Sequence, residues 1–311
     1  MGFIALIFAL LIEQGRPLPV RNVVHVAIGQ FADGVRRLTD AGDRRYGIFG
    51  WFLVVGALVI AIGLLQWLAD WVHPIALFCL YVAVLYFTVG FRQFSHAFTE
   101  IQLALAAGDP EGARNVLQTW LRRHDPEYTV GDAPTSEVCR LAISHALVAA
   151  HRHVFGPLFW FILLPGAIGP VIYRVAQMLA KRWGDPSSTY GGFAQLAYRV
   201  LDWLPLRLSA VGFAIVGNFE DAVYCWRGAV AAGTADDQRA LLLATGGGAL
   251  GLRIADPELE ARWAAGDQGF DWQGAEPAAE GLRSSVGLVW RSVVLWIALF
   301  AMMTIATWLG R

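Results

Sequence analysis

Charged side chains are scarce in this sequence. Only 16% of its 311 residues are Asp, Glu, Lys or Arg, whereas 56% are hydrophobic. Soluble globular domains carry about 25% charged residues. The composition therefore excludes an ordinary soluble globular protein and predicts that much of the surface lies in a lipid bilayer.

A basic surplus is also missing, since the formal net charge is −1. Nucleic-acid binders concentrate Lys and Arg where they meet phosphates, so this balance excludes a nucleic-acid partner. The three cysteines, Cys79, Cys139 and Cys225, are odd in number and form no CxxC pair. The sequence therefore predicts reduced thiols and neither a disulfide nor a zinc site.

A cleavable leader is not apparent either. Met1–Ile12 is apolar, but it has no basic residues before it and no small-residue cleavage site after it. We expect it to be a retained first membrane segment. It is shorter than the roughly 20 residues that a full span requires.

Long apolar runs dominate what is present. Gly47–Val72 and Val286–Leu309 can each cross a bilayer, and Ile75–Phe91 is a further span after a short turn. Between positions 24 and 38, apolar residues recur at helical spacing, which predicts an amphipathic helix on the membrane or on a partner helix. The predicted fold is all-α, a polytopic membrane bundle with cytoplasmic helical segments.

One apolar stretch, from His153 to Arg174, is broken by Pro157, Pro165 and Pro170. Each proline removes a backbone donor, and irregular backbone at membrane depth is tolerated only where protein or a water-filled cavity covers it. Two alternatives remain open for residues 154–173: a plain crossing, or a re-entrant or tightly bent segment. Either predicts a cavity at the break.

These patterns divide the chain into five predicted segments. They are 1–91, N-terminal membrane segments with an interfacial helix; 92–152, a cytoplasmic helical region; 153–217, the broken segment with a second apolar segment; 218–284, a polar helical region; and 285–311, a C-terminal transmembrane helix.

Three local constellations have ordinary structural interpretations. His145, His151 and His153 do not share a helix face as metal ligands would, so we expect interfacial histidines. The glycine-rich run 245–251 lacks the Lys-Ser/Thr of a phosphate loop, so we expect a flexible or closely packed stretch. Asp202 lies near arginines beside apolar sequence, where a charge is costly unless it is paired.

Several short motifs resemble the CobD/CbiB family in order and spacing over roughly residues 75–215. They are Tyr86–Val89, Ala106–Arg114, Glu137–Arg140, Pro157–Phe161, Tyr173-Arg174 and Leu204–Leu208. The resemblance implies an integral membrane enzyme that makes adenosylcobinamide phosphate. In that reaction an ATP- and Mg²⁺-dependent amide bond joins adenosylcobyric acid to an aminopropanol phosphate.

The chain departs from the family pattern at its acidic positions. Glu137 is kept, but residues of other types occupy most of the positions where the family has carboxylates or Asn. These are Ser144, Val148, Ala149, Arg152, the run Gln177–Ala180, Tyr198 and Arg199, while Asp202 stands where Asn is usual. Since carboxylates hold Mg²⁺, the departures argue against the family's reaction.

Other motifs, at 155–161, 202–208 and 216–219, resemble the AmpE group of the same superfamily. That group consists of inner-membrane proteins linked to β-lactamase regulation, and it also lacks the acidic set. The first interpretation is therefore a non-catalytic regulatory or ligand-binding protein of the bacterial inner membrane, multi-pass, acting in cell-wall stress or β-lactamase regulation. The alternative is the cobalamin-biosynthesis synthase itself.

The first interpretation predicts no catalytic residue, no metal and no cofactor, and the alternative predicts Mg²⁺ and ATP. Expected partners are membrane lipid and a small-molecule or cell-wall-derived ligand, with a homo-oligomer left open. A small transporter is a third hypothesis, because broken helices near the membrane midplane are typical of transporters. It is weaker than the other two, because the sequence has no second broken helix in an inverted repeat. Ten residues are candidates for lining a ligand pocket: Glu137, His145, Arg152, Trp160, Tyr173, Arg174, Arg199, Asp202, Arg207 and Asn218.

Overall fold

A computed structural model describes residues 1–15, 23–90, 92–123, 127–164, 166–184, 188–234, 237–266 and 270–310, without the side chains of 92–94. In these ranges the chain is helical and has no β-strand, apart from an isolated bridge between Leu252 and Ala275. The predicted all-α class is confirmed.

The helices follow one another with short connections. They are α1 (Gly2–Gly15), α2 (Val23–Thr39), α3 (Arg44–Val72), α4 (Pro74–Thr88), α5 (Arg92–Ala106), α6 (Pro110–Arg122), α7 (Thr135–Ala150), a π-helical turn (His151–Phe155), α8 (Gly156–Leu163), α9 (Ile168–Trp183), α10 (Gly192–Val216), α11 (Phe219–Ala231), α12 (Gln238–Leu250), α13 (Pro257–Gly266) and α14 (Ala279–Leu309).

The chain forms two compact units. Unit 1 comprises Met1–Gln93 and His153–Pro205, and unit 2 comprises Phe94–Arg152 and Leu206–Arg311. The structure does not test the five-segment division of the sequence, which stays a prediction.

Three helical segments of the described chain are long and apolar enough to cross a membrane: Arg44–Val72, Thr135–Leu163 and Ala279–Leu309. The first and third correspond to predicted spans. The second was not expected, and most of α7 within it is buried against protein rather than exposed. α1 and α4 are apolar but shorter, and the last residue of the predicted span 75–91 lies outside the described residues.

The broken apolar segment folds as two helices, α8 and α9, that pack against each other. Only four residues separate Leu163 from Ile168, and Gly166 among them has a φ of +80°, which favours glycine. Gly169 allows the close approach of the two helices, since a Cβ there would lie 2.1 Å from the carbonyl oxygen of Trp160. This geometry matches the bent alternative for 154–173.

Two of the three prolines of this segment lie near the beginning of a helix. Pro157 lies at the beginning of α8, and Pro170 lies in the first turn of α9. In the first turn of α9 the backbone N–H has no intrahelical partner, so Pro170 costs no hydrogen bond there. Pro157 instead follows the π-helical turn directly, and the carbonyl oxygen of His153, four residues earlier, accepts from the Gly90 backbone N–H at 3.0 Å. Pro165 lies outside the described residues.

The core of unit 1 joins α2, α3, α9 and α10 around two aromatic side chains. Trp183 and Tyr190 are fully buried, and their rings meet edge to face with centroids 5.2 Å apart. The Tyr190 hydroxyl pairs with the hydroxyl of Thr39 on α2 at 2.7 Å. The predicted amphipathic helix is α2, whose Ala32 and Val35 enter this core.

In unit 2 the glycine-rich run lies inside α12 and allows it to pack closely on α11. A Cβ at Gly248 would lie 2.4 Å from the backbone oxygen of Asp221, and one at Gly246 would lie 2.7 Å from Leu147 of α7. Of the two interpretations left open for this run, flexible or closely packed, the structure shows close packing.

Gly248→Ala is expected to destabilise unit 2, because the added methyl group meets backbone that cannot rotate away. The expected loss is about 1–3 kcal/mol of unfolding free energy, measured by thermal or denaturant unfolding of the detergent-solubilised protein. Gly287→Ala is the matched control, because a Cβ there would meet only an arginine side chain at 3.9 Å. Equal stability of the two variants would contradict the packing role of Gly248.

The ion pair between Asp33 of α2 and Arg182 of α9 predicts a pH dependence. The hydrogen bond from Arg182 lowers the pKa of Asp33 below its ordinary value of 3.8. A depressed folded-state pKa stabilises the fold above the unfolded value and loses that contribution as pH falls through the folded value. The wild type should therefore exceed Asp33→Asn in thermal stability at pH 7, and the difference should begin to shrink as the pH falls to about 3.8 and disappear only after the pH has passed through the lower folded-state pKa of Asp33. Asp70→Asn, at an exposed position, should show no such difference.

Candidate functional site

A tyrosine–aspartate pair is buried in unit 1 between α9 and α10. The Tyr173 hydroxyl donates to Oδ1 of Asp202 at 2.7 Å, and the two residues are 0% and 2% exposed. Gly156 of α8 makes room for the ring, because a Cβ there would lie 2.3 Å from it. Burying a carboxylate is costly unless it is hydrogen-bonded, so this contact fixes both side chains.

Further hydrogen bonds extend this pair into a polar network. The Tyr173 and Tyr198 hydroxyls lie 3.4 Å apart, and Nε2 of Gln177 donates to the Tyr198 hydroxyl at 3.4 Å. Nη1 of Arg174 donates to Oε1 of Gln177 at 2.6 Å. Alternating donors and acceptors therefore connect Asp202 to Arg174.

The network reaches His153, in the π-helical turn between α7 and α8. Nη1 of Arg174 lies 2.9 Å from Nδ1 of His153. Because guanidinium can only donate, Nδ1 is the acceptor, and the proton of the neutral ring lies on Nε2. The His153 carbonyl oxygen accepts from the Gly90 backbone at 3.0 Å. Single π-helical turns inside helices are frequent at functional sites.

Trp160 of α8 lies beside the network and donates a hydrogen bond to a backbone carbonyl oxygen of α10 that has no donor within its own helix. Pro205 lies within α10 and has no N–H for the carbonyl oxygen of Leu201, four residues earlier. The indole Nε1–H of Trp160 donates to that oxygen at 3.3 Å. The contact positions α8 against α10 next to Asp202.

Glu137, the family's retained acidic residue, lies in unit 2 in an ion pair with Arg140. Its two carboxylate oxygens accept from the guanidinium of Arg140 at 2.6 and 2.7 Å. Nη1 of Arg140 also donates to Asp256 and to the carbonyl oxygen of Ala255, each at 3.0 Å. Arg140 therefore ties α7 to the segment that leads into α13, and Glu137 compensates the charge of Arg140.

The other candidates do not converge on one place. His145 meets the Trp120 ring edge to face, with centroids 4.7 Å apart. Arg152 and Arg199 are exposed, and Arg207 is half-buried. Asn218 caps α11, where its Oδ1 accepts from the Asp221 backbone at 3.3 Å.

The interfacial interpretation of the three histidines is wrong for His151. This residue is 1% exposed inside unit 2, and its Nδ1 lies 2.9 Å from the hydroxyl of Ser209. Histidines at 145, 151 and 153 thus have three separate structural environments, as their spacing along the helix dictates.

The magnesium that the family's reaction needs has no evident ligand set in the part of the chain that the structure describes. No three His, Cys, Asp or Glu side chains come together there as a metal site requires. Glu137 already has both oxygens bound by Arg140. These residues therefore do not fit a carboxylate-held Mg²⁺.

The structure brings together Tyr173, Arg174 and Asp202 of the ten candidates, with Trp160 beside them. It adds three residues that were not candidates: His153, Gln177 and Tyr198. Helical spacing carried a signal for two of them, because Gln177 is four residues after Tyr173 and Tyr198 is four residues before Asp202. Together these side chains form one hydrogen-bonded network of buried and half-buried polar groups.

The Trp160–Leu201 contact predicts non-additive mutations. Trp160→Phe leaves the Leu201 oxygen without its donor and should cost about 1–3 kcal/mol of unfolding free energy. In a Pro205→Ala background, the new N–H supplies the missing helical hydrogen bond, so the same tryptophan change should cost less. A double-mutant cycle by denaturant unfolding measures the difference. An equal cost in both backgrounds would contradict this role of the indole.

Comparisons with known proteins agree with the motif resemblance. The family model "CobD/Cbib protein" matches residues 3–289. The chain is 30% identical to Cobalamin biosynthesis protein CobD of Stutzerimonas stutzeri over 95% of both chains. It is 32% identical to the Chromobacterium violaceum protein of the same name, over 70% of this chain and 68% of that one.

A shorter similarity links the chain to Protein AmpE of Shigella flexneri, at 33% identity over 24% of this chain and 28% of that protein. No solved structure matches. Three apolar helices and the family match together identify a membrane protein. The extent of the match, over nearly the whole chain, shows that the chain belongs to the CobD/CbiB family.

Proposed function

We propose that this protein acts in cobalamin biosynthesis as a CobD/CbiB-type adenosylcobinamide-phosphate synthase. The observation that carries the proposal is the similarity to a protein named Cobalamin biosynthesis protein CobD over 95% of both chains. Similarity of this extent includes the helices that build the polar network of unit 1. The synthase, which was the alternative on motifs alone, therefore takes precedence over the AmpE-like interpretation.

The polar network is the proposed substrate-binding part of this function. An amide-forming reaction joins a carboxylate to an amine, so its site needs donors for the first and an acceptor for the second. Arg174 supplies guanidinium donors and Asp202 supplies an acceptor, and both residues lie on helices of unit 1. Groups held in fixed positions lower the entropic cost of bringing two reactants together.

The second candidate function is the non-catalytic, AmpE-like one, in β-lactamase or cell-wall regulation. The absence of a three-residue metal-ligand group from the described residues favours it. It needs neither ATP nor Mg²⁺, and the same network then binds a regulatory ligand such as a cell-wall fragment. Its sequence support is narrower, since the similarity to AmpE covers 24% of the chain.

For both functions we propose a multi-pass protein of the bacterial inner membrane. Membrane lipid surrounds the apolar spans, and ATP and Mg²⁺ are required only by the synthase. Assembly into a homo-oligomer belongs to the same proposal, and crosslinking in native membranes tests it.

Complementation distinguishes the two functions. A bacterial strain that lacks its own CobD and depends on cobalamin should grow when it expresses this chain, and its extracts should convert adenosylcobyric acid into adenosylcobinamide phosphate. Tyr173→Phe removes the hydrogen bond to Asp202 and should lower that conversion at least tenfold, since hydrogen bonds to charged groups contribute about 1.5–3 kcal/mol. Mass spectrometry of the corrinoid products provides the measurement.

Tyr46→Phe is the matched control, because Tyr46 is an exposed tyrosine of the same unit. It should leave the conversion unchanged. Failure of the well-expressed wild-type chain to complement would reject the synthase. A changed β-lactam response on deletion of the gene would then favour the AmpE-like function.

A further inference from the structure

The helix α2 carries a second apolar surface besides the one that it buries. Its buried face includes Ala32 and Val35, which pack among side chains of α3 and α9. Five further residues recur at spacings of three and four along the helix and form a separate row, the α2 stripe: Val24, Ala27, Phe31, Gly34 and Leu38. The α2 stripe is open to the surroundings, since Leu38 is 88% exposed and Phe31 42%.

Helical geometry gives α2 three different sides. At about 100° per residue, the centre of the α2 stripe lies about 90° around the helix from the buried face. Polar side chains lie nearly opposite the buried face, where Gln30, Asp33 and Arg37 are found together with Val26. Asp33 forms its ion pair with Arg182 of α9 on that side. The helix therefore has one side for protein, one polar side for water and one apolar side that faces outward.

The neighbouring helix α3 indicates what covers the α2 stripe. α3 starts four residues after α2, is long and apolar enough to cross a membrane, and packs against α2. In its first turns Phe49 and Phe52 are 60% and 59% exposed. A membrane-spanning helix turns such side chains to lipid. The α2 stripe is thus close to a surface that already belongs to the lipid-facing part of the protein.

The charges nearby fit the edge of the bilayer rather than its centre. Arg37 near the end of α2 and Arg44 and Arg45 at the start of α3 are all exposed. Arginine is costly at the centre of a bilayer. Helices that lie in the membrane–water interface typically carry arginine on the polar face and Phe or Leu on the apolar face. This is the distribution that α2 shows.

We propose that the α2 stripe lies in the interfacial zone of the bilayer, where its apolar side chains enter the lipid and Arg37 stays in water. The area of the stripe favours lipid over a second copy of the chain. A protein interface of standard size buries about 800 Å² on each partner, which five residues that include a glycine and an alanine do not supply. Lipid needs no such area, because each apolar side chain leaves water independently of the others. This position does not depend on the reaction that the protein catalyses.

Spin labels on single cysteines test where the stripe lies. Cys79 is exposed and is first replaced by serine, whereas Cys139 and Cys225 are buried and should remain unlabelled. Phe31→Cys and Leu38→Cys then place a nitroxide on the stripe of the full-length protein, in liposomes of phosphatidylethanolamine and phosphatidylglycerol. Power-saturation spectra measure the contact of each label with oxygen, which dissolves in lipid, and with a nickel chelate, which stays in water.

Labels on the stripe should have an oxygen-to-chelate accessibility ratio about threefold or more above that of labels on the polar side. Gln30→Cys and Arg37→Cys are the matched controls, because both positions are exposed on the same helix but face water. Gly34→Cys keeps the test decisive if replacing a larger side chain disturbs the fold, since a Cβ there meets nothing within 4 Å. Gel filtration and thermal unfolding verify that each variant is folded.

Two results would overturn the proposal. Equal access of the chelate to labels on the stripe and on the polar side would place the stripe in water. Magnetic broadening between labels at position 38 that disappears on dilution with unlabelled protein would assign the stripe to a second copy of the chain. Complementation by the wild-type chain is measured separately, so the position of α2 and the proposed reaction fail separately.

Discussion

The structure of unit 1 depends on satisfying polar groups inside an apolar helical bundle. Asp202 is 2% exposed and is held by Tyr173, while the Leu201 carbonyl oxygen, which Pro205 leaves without a helical donor, receives the indole N–H of Trp160. Each of these two hydrogen bonds joins two helices, because the donor side chain lies on a different helix from the acceptor. Hydrogen-bond satisfaction therefore fixes the relative positions of α8, α9 and α10, where nonspecific apolar packing alone would allow sliding.

Much of the fold could be predicted from the sequence, because the signals are local. Apolar length identified α3 and α14, helical periodicity identified α2, and the prolines of 154–173 indicated a break that the structure realises as the turn between α8 and α9. These features depend on residues a few positions apart. The buried position of α7 could not be found in this way, since an apolar helix covered by protein and one covered by lipid have similar compositions.

The site was less predictable, because it consists of contacts between distant segments. Family motifs include Tyr173, Arg174 and Asp202, which the structure brings together, but they also include Glu137 and Asn218, which make structural contacts elsewhere. A motif marks positions that relatives share and does not say which of them meet. Gln177 and Tyr198 stand where the family has residues of other types, and only the contacts between α9 and α10 show that they connect the network.

Similarity of scaffold and similarity of chemistry must be weighed separately in this family. Short motifs favoured AmpE, yet that likeness covers 24% of the chain, whereas the CobD likeness covers 95%. The bidentate bond from Arg140 to Glu137 shows that even a retained acidic residue need not be available for chemistry.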